Sequence, residues 1–497
     1  MSNKNEFGDF QTPLSLARRA VSLIAELYES PDVVIEPTCG RGSFLKASYE
    51  CWQNTCLYRG FEINNEYVDC ANELLAGSGI NVDRQDVFNI DFDILIKQLH
   101  SEKILFIGNP PWVSNSDLSV FESGNTPIKS NFQGLKGLDA RTGKSNFDIA
   151  EWILIKIIDA LPEAGTMAML CKTATARKVL KHFWKSKETF NQSEIFKIDS
   201  KLEFNVAVDA CLLVVGGKKI KTKKTPIYDD LTRASNFCEF GYVDGDLVSD
   251  FNSYNKFKHF DGGSSVYVWR SGIKHDLSRV MELEKIGGKY QNGDGEILDI
   301  EDISVYPLLK SSDLGNNRTE PRRYIIVTQT STGDSTDAIK TTAPKTWVYL
   351  NSHLEDFANR KSSIYKNRPI FSIFGIGDYS FSDWKIAISG MYKNLNFTII
   401  PPFNGKPVML DDTCYSIPCK SKEEAEIIHK ILSSEKCLDF IKSLIFLDAK
   451  RPITVDVLKR LNIGKIAKDL GLHQELDQIL KNAPSKTNEP AQLFLFL

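Results

Sequence analysis

The chain is poor in the features that would tie it to a membrane, a metal or an oxidising compartment. No run of eighteen apolar residues occurs in its 497 positions, which excludes a transmembrane helix of ordinary length. The polar start Met1-Ser2-Asn3-Lys4-Asn5-Glu6 lacks the apolar core of a secretory signal, so a cytoplasmic location is expected. Ten cysteines are scattered without one Cys-x-x-Cys pair, and several fall inside apparent strands or helices. Reduced, buried thiols are therefore expected in place of zinc ligands or disulfides. No convincing acidic cluster for a metal is found and no internal repeat, so no metal is expected. Positive charge is not in excess either: 61 Lys and Arg against 64 Asp and Glu leave a formal net charge of −3, and any phosphate-binding surface has to be built by segregating charge. The remaining composition, 42% hydrophobic and 25% charged, is that of an ordinary globular protein too long for one core.

The most informative stretch is Ile104-Leu105-Phe106-Ile107-Gly108-Asn109-Pro110-Pro111-Trp112, an apolar strand that ends in an amide, two prolines and an aromatic. The Asn109 side-chain oxygen and the Pro110 carbonyl can accept the two hydrogens of a planar NH2 group, drawing its nitrogen lone pair out of conjugation. Two consecutive prolines fix φ and remove two donors, which keeps those acceptors in place. Trp112 offers a face on which a flat base can stack, worth roughly 1–3 kcal/mol. An Asn-Pro turn that merely closes a buried strand is the competing reading, and the upstream segments weigh against it.

Upstream, Val33-Val34-Ile35-Glu36-Pro37-Thr38-Cys39-Gly40-Arg41-Gly42-Ser43 reads as a strand, a glycine turn and a helix start. Gly40 and Gly42 let the backbone turn and a ligand approach. Glu36 at the strand end suits a cationic or amino group better than a phosphate. A second strand, Cys56 to Glu62, ends in an acid at the position where ribose hydroxyls are commonly held. A third runs from Ile80 to Asp86 with Phe88 close by, a combination of acceptor and aromatic that suits an adenine. Further strands are expected near 104–108, 166–171, 193–199 and 208–215, with helices over about 147–161 and 174–189. Alternating strands and helices imply an α/β domain whose sheet is mostly parallel, with the site at the carboxyl ends of its strands.

With these residues in place the sequence resembles the class I S-adenosylmethionine-dependent methyltransferases, and within them the adenine-N6 DNA methyltransferases of restriction-modification systems. The resemblance implies a Rossmann-like domain and assigns the cofactor to Glu36, Thr38, Cys39, Gly40, Gly42, Glu62, Ile63, Asp86, Val87, Phe88 and Asn109. It also implies that Thr12-Pro13 and the helix from Leu14 to Tyr28 fold over the cofactor's methionine end. Catalysis falls to Asn109, Pro110, Pro111 and Trp112, with Phe204 as a second aromatic against the base. The order of cofactor turn, catalytic tetrapeptide and long C-terminal segment is that of the gamma-type enzymes, which carry an α+β target-recognition domain. The implied division is 1–217 for the catalytic domain and 218–497 for recognition, helical from about 421. Lys450-Arg451-Pro452 resembles a recurrent feature of such domains.

Double-stranded DNA is the implied partner, and a restriction endonuclease of the same specificity a second one. The long polar segment 113–145 carries Lys129, Lys136, Arg141 and Lys144, which suit phosphate contact. Arg318, Arg322, Arg323, Arg360 and Lys361 lie among aromatics such as Trp347, Tyr349 and Tyr365, and Arg is well shaped for bidentate recognition. Lys218 to Lys224 reads as a solvated interdomain linker. Tyr324 to Val327, Trp347 to Leu350 and Ile370 to Phe374 read as strand-like, and the glycines at 375 and 377 as a tight turn. The implied reaction is direct methyl transfer to N6 of an adenine rotated out of the duplex. Cytosine-C5 transfer would need a Pro-Cys nucleophile near the catalytic loop, and the sole Pro-Cys pair is Pro418-Cys419. Cytosine N4, an RNA base and a protein glutamine amide offer the same planar amine and stay open, as does a non-catalytic DNA-binding specificity subunit. Asn in place of Ser at position 109 favours adenine by resemblance.

Overall fold

The computed structural model describes residues 10–112, 148–186, 189–264 and 266–482. The segment 113–145 and with it Lys129, Lys136, Arg141 and Lys144 lie outside the described residues. The chain divides into two compact units, the first ending at Phe251 and the second beginning at Asn252.

In the first unit a ten-stranded sheet comprises β1 (Val33–Glu36), β2 (Leu57–Glu62), β3 (Val82–Arg84), β4 (Ile104–Gly108), β5 (Thr166–Lys172), β6 (Phe190–Ile198), β7 (Ala210–Ile220), β8 (Lys224–Tyr228), β9 (Phe237–Val243) and β10 (Asp246–Val248). Their order is β10-β9-β8-β6-β7-β5-β4-β1-β2-β3. Strands β3, β2, β1, β4 and β5 are parallel, and β7 inserts antiparallel between β5 and β6. Strand β1 lies between β2 and β4, so the chain runs outward from it in both directions. This is the switch point at which α/β sheets open a crevice beyond their carboxyl ends. The central strands are apolar runs because helices cover both faces, and every residue of β1 and β4 is buried.

Helices α1 (Leu14–Leu27), α2 (Ser43–Trp52), α3 (Asn65–Leu74), α4 (Phe92–Leu99), α5 (Ile149–Ala160), α6 (Thr173–Ser186) and the short α7 (Ser200–Phe204) belong to this unit. Helix α1 buries Leu16, Ala17, Ala20, Val21, Leu23 and Ile24, one stripe at helical spacing, and packs beside α2. Side-chain oxygens start four of the helices: Asn64 caps α3, Asp91 caps α4, Asp148 caps α5 and Asp199 caps α7.

The unit boundary differs from the expected one at 217. Lys219 and Ile220 lie within β7 and Lys224 opens β8, which pairs on the far side of β6, so the lysine run ends one strand, crosses over β6 and starts another within the sheet, and is not an interdomain linker. Strands β8 to β10 extend the sheet, with Ile227, Phe240 and Val248 buried, and the first unit closes only after them.

In the second unit a six-stranded sheet has the order β14-β13-β12-β16-β15-β19, built from β12 (Glu282–Ile286), β13 (Lys289–Asn292), β14 (Ile297–Leu298), β15 (Val305–Leu309), β16 (Arg323–Ile326) and β19 (Met409–Leu410). A four-stranded sheet joins β11 (Arg270–Ser271), β20 (Cys414–Cys419), β17 (Trp384–Ser389) and β18 (Thr398–Ile400). The expected strand Tyr324 to Val327 is β16. Trp347 to Leu350, read as strand-like, is instead part of α8 (Pro344–Ser352), and Ile370 to Phe374 forms no strand beyond an isolated bridge between Phe374 and Lys274. Beyond 421 the unit is helical, beginning with α9 (Lys422–Leu432) and α10 (Glu435–Leu444). Among the described residues no helix is long and apolar enough to cross a membrane.

Candidate active site

Parallel register brings the carboxyl ends of β1, β2, β3 and β4 to one edge of the first sheet, with Glu36 opposite Gly60 and Glu62 opposite Arg84. The turn after β1 takes Gly40 to φ +51° and Gly42 to φ +82°, the left-handed region that glycine enters without strain. Glu62 fixes this turn from the neighbouring strand. One carboxylate oxygen accepts the Gly40 N–H at 2.8 Å, and the other accepts the Ile63 and Asn64 N–H groups at 2.9 Å each. Cys39 donates its N–H to the Phe61 carbonyl, and its thiol is buried, which pushes its pKa up.

Glu36 does not behave as a free strand-end charge. It is 2% exposed and accepts the Leu45 N–H at 3.0 Å, so it holds the first turn of α2 from beneath. Burial drives its carboxyl well above the ordinary range, against the opposing pull of that hydrogen bond, and the nearby Glu62 pushes the same way. Asp86 caps the short turn after β3 by accepting the Phe88 N–H. Val87 is buried and Ile63 is 41% exposed, while Phe88 meets Trp152 of α5 edge-on at 5.1 Å.

A short strap crosses this edge ahead of α1. The Phe10 carbonyl accepts the Asn109 side-chain N–H at 2.9 Å, Gln11 accepts the Arg41 N–H at 3.0 Å, and the Thr12 carbonyl accepts the Ser43 hydroxyl at 2.7 Å. Pro13 then leads into α1. The Gln11 amide lies so close to the glycine turn that a Cβ on Gly40 would stand 2.6 Å from it.

Asn109 follows β4 directly. With its amide nitrogen committed to Phe10, its oxygen Oδ1 is turned the other way and is buried with no hydrogen-bond partner among the described residues. An unpartnered buried acceptor costs about 1–3 kcal/mol and marks a position prepared for a donor. Thr38 Oγ1, beside the glycine turn, is orphaned in the same way, as is Trp112 Nε1. Pro110 is buried, and the Trp112 carbonyl accepts a hydrogen bond from Lys172 Nζ at 2.7 Å.

Trp112 and Phe204 are brought together, but not as two parallel walls. Their centroids are 5.3 Å apart at 75°, and Phe10 stands 5.4 Å from Trp112 and 6.1 Å from Phe204. A base between Trp112 and Phe204 requires this trio to part. Sequence reasoning missed Phe10, Gln11 and Lys172. The first two flank the recognised Thr12-Pro13, whereas nothing near Lys172 signals a role.

No family model matches the chain. It is 43% identical over 471 residues to the type II methyltransferase M.NspV of Nostoc sp. (strain ATCC 29411 / PCC 7524), covering 94% of this chain and 98% of that one. The chain belongs to the type II methyltransferases. Among solved structures, the methyltransferase aligns with the type IIL restriction-modification enzyme MmeI in complex with DNA at 12% identity, TM-score 0.48, over 95% of this chain and 76% of that one. It also aligns with a type I restriction-modification methyltransferase subunit from Streptococcus thermophilus at 14% identity, TM-score 0.32, over 44% of this chain and 46% of that one. At these scores the class I assignment rests on the strand order itself. The methyltransferase takes S-adenosylmethionine as its cofactor. The residues at the sheet edge suit that group: an unpartnered Thr38 hydroxyl, a carboxylate at the end of β2 and a glycine turn open to close approach.

In the second unit Arg318, Arg322 and Arg323 lie 3.5–4.0 Å from the buried carboxylate of Asp313. Arg318 and Arg322 line an open groove of about 570 Å³ with Asn316, Asn317, Glu320 and Phe403. Lys361 is exposed. Arg360 departs from the expected DNA contact. Its guanidinium donates to the carbonyls of His275, Phe357, Ile370 and Ser372 and stacks 3.5 Å from the Tyr365 ring centroid, so it clamps the unit together.

Proposed function

We propose that the chain is a site-specific DNA methyltransferase that modifies N6 of an adenine rotated out of duplex DNA, as the protective partner of a restriction endonuclease. One observation carries this reading: Asn109 Oδ1 is a buried, unpartnered acceptor held in orientation by the Phe10 carbonyl at the end of the strand nearest the switch point. An exocyclic amine supplies the missing donor. Asn109 Oδ1 and the Pro110 carbonyl accept its two hydrogens, which frees the nitrogen lone pair and points it in one direction. Trp112 and Phe204 hold the ring once Phe10 has moved aside. S-adenosylmethionine, when bound by the residues around Thr38, Gly40, Glu62 and Asp86, supplies an electrophilic methyl group. Fixed orientation provides much of the acceleration. The proton leaves to water after the nitrogen becomes cationic, so no base with a tuned pKa is needed. Rotating the base out of its stack costs a few kcal/mol, which contacts to the DNA backbone from the exposed Arg322 and Lys361 and the half-buried Arg323 offset.

The test is transfer of labelled methyl from S-adenosylmethionine to mixed-sequence duplex DNA, followed by nucleoside analysis. Label in N6-methyladenine that falls by about 100-fold or more in Asn109→Ala is expected, the scale of removing one hydrogen bond made in the transition state. Label in N4-methylcytosine, or none in DNA while the cofactor still binds, would overturn the adenine reading.

A further inference from the structure

Lys172 ends β5, the strand next to β4, and its ammonium stands between two pieces of chain. Nζ donates to the Trp112 carbonyl at 2.7 Å and lies 3.7 Å from Asp148 Oδ2. Asp148 is itself fixed: it accepts the Thr175 hydroxyl at 3.1 Å and the Ala150 N–H at 3.0 Å, and it is 8% exposed. One cation therefore ties the end of the Asn109–Trp112 segment to the start of α5. The segment needs such a tie. Pro110 and Pro111 have no N–H, so the two residues at its centre cannot bind to neighbouring carbonyls as ordinary strand residues do. An acceptor carbonyl is what the backbone offers there, and a lysine is a donor with three protons and no acceptor.

We infer that Lys172, held by Asp148, is a positioning residue that fixes the Trp112 peptide and through the rigid prolines the placement of Pro110 and Asn109. The inference rests on the reading of Asn109 to Trp112 as the amine-binding segment. Lys172 acts through that segment and does not touch the transferred group. Its loss leaves the amine acceptors present but less well aimed, which lowers turnover more than binding.

The experiment compares full-length wild type with Lys172→Met, Lys172→Arg and the double variant Lys172→Met/Asp148→Asn, which removes the carboxylate left unpaired. Methyl transfer to duplex DNA, S-adenosylmethionine binding and thermal melting are measured for each. Expected for Lys172→Met and the double variant is a kcat lower by about tenfold or more, with KM for DNA and cofactor affinity within about threefold and the melting temperature little changed. Lys172→Arg, still able to donate to the carbonyl, recovers most of kcat. Unchanged kcat in both Met variants overturns the inference, and so does a joint fall of kcat, cofactor affinity and melting temperature. If the wild type methylates no DNA, the function reading fails on its own. The clasp is then judged by acrylamide quenching of the Trp112 emission, taken as the difference from Trp112→Phe. Trp112 is 4% exposed. Easier quenching in Lys172→Met supports the clasp, and unchanged quenching overturns it.

Discussion

Glu36 shows how little a residue's place in a motif says about its charge. At the end of β1 it has the position of a ligand-facing acid, yet its side chain turns inward, accepts the Leu45 N–H and is 2% exposed. Burial raises its pKa well above the ordinary range, so the folded protein holds a proton that the unfolded chain releases as pH rises. Ionisation therefore opposes folding, and stability falls as pH climbs from the unfolded carboxyl range toward the folded pKa. Glu36→Gln keeps an acceptor for Leu45 and removes the titration. Its melting temperature is expected to gain on wild type between about pH 5 and pH 8 in paired thermal scans, since unfolded Glu titrates near 4.3. Glu36→Leu also removes the titration but leaves the Leu45 N–H unpaired in the interior, and is expected to be about 1–3 kcal/mol less stable than Glu36→Gln at every pH. A constant difference between Glu36→Gln and wild type across that range would mean that the carboxyl is already ionised in the fold.

Elements were legible in the sequence wherever one physical signal dominated them. Strands β1, β4 and β5 are apolar runs bounded by turn residues because they are buried on both faces, and each lies within a residue or two of its expected position. Helix α8 was not legible. Trp347-Val348-Tyr349-Leu350 has the composition of a strand, but Pro344 at the first helical position sets φ for a helix, and Thr346, Tyr349 and Leu350 bury one face at spacings of three and four. The strap was half legible: Thr12-Pro13 marked its end, whereas the Phe10 and Gln11 contacts depend on segments brought together only by the sheet. The turn at Gly375 was legible as a turn but not as to its role, which is packing. Gly375 has φ +70°, and a Cβ there would overlap the carbonyl oxygen of Gly272. Gly375→Ala combines left-handed strain with a backbone clash and is expected to destabilise the second unit by about 2–3 kcal/mol, read from denaturant midpoints. Loss of less than about 0.5 kcal/mol would show that the two segments separate freely.

For the whole molecule the difficulty is charge, since a chain of net charge −3 is asked to hold a polyanion. Segregation answers it in part: Arg318, Arg322 and Arg323 gather around the buried Asp313, and Arg318 and Arg322 line a groove in which Glu320 is the one acid among the lining residues, so positive charge exceeds negative along it. Arg322 is 64% exposed and able to meet a phosphate, while Arg360 spends its donors on four carbonyls. The two arginines should therefore fail in different ways. Arg322→Ala/Arg323→Ala is expected to keep its melting temperature and to weaken duplex affinity measured by fluorescence anisotropy. The slope of log K against log salt should become shallower by about two, one for each phosphate that is no longer neutralised. Arg360→Ala is expected to lose roughly 2–3 kcal/mol of stability, because its charged hydrogen bonds to four carbonyls, three of them partly buried, disappear, while its salt slope stays that of wild type. An unchanged slope in the double variant would place the phosphate-binding groups elsewhere and leave the arginines around Asp313 as an internal network.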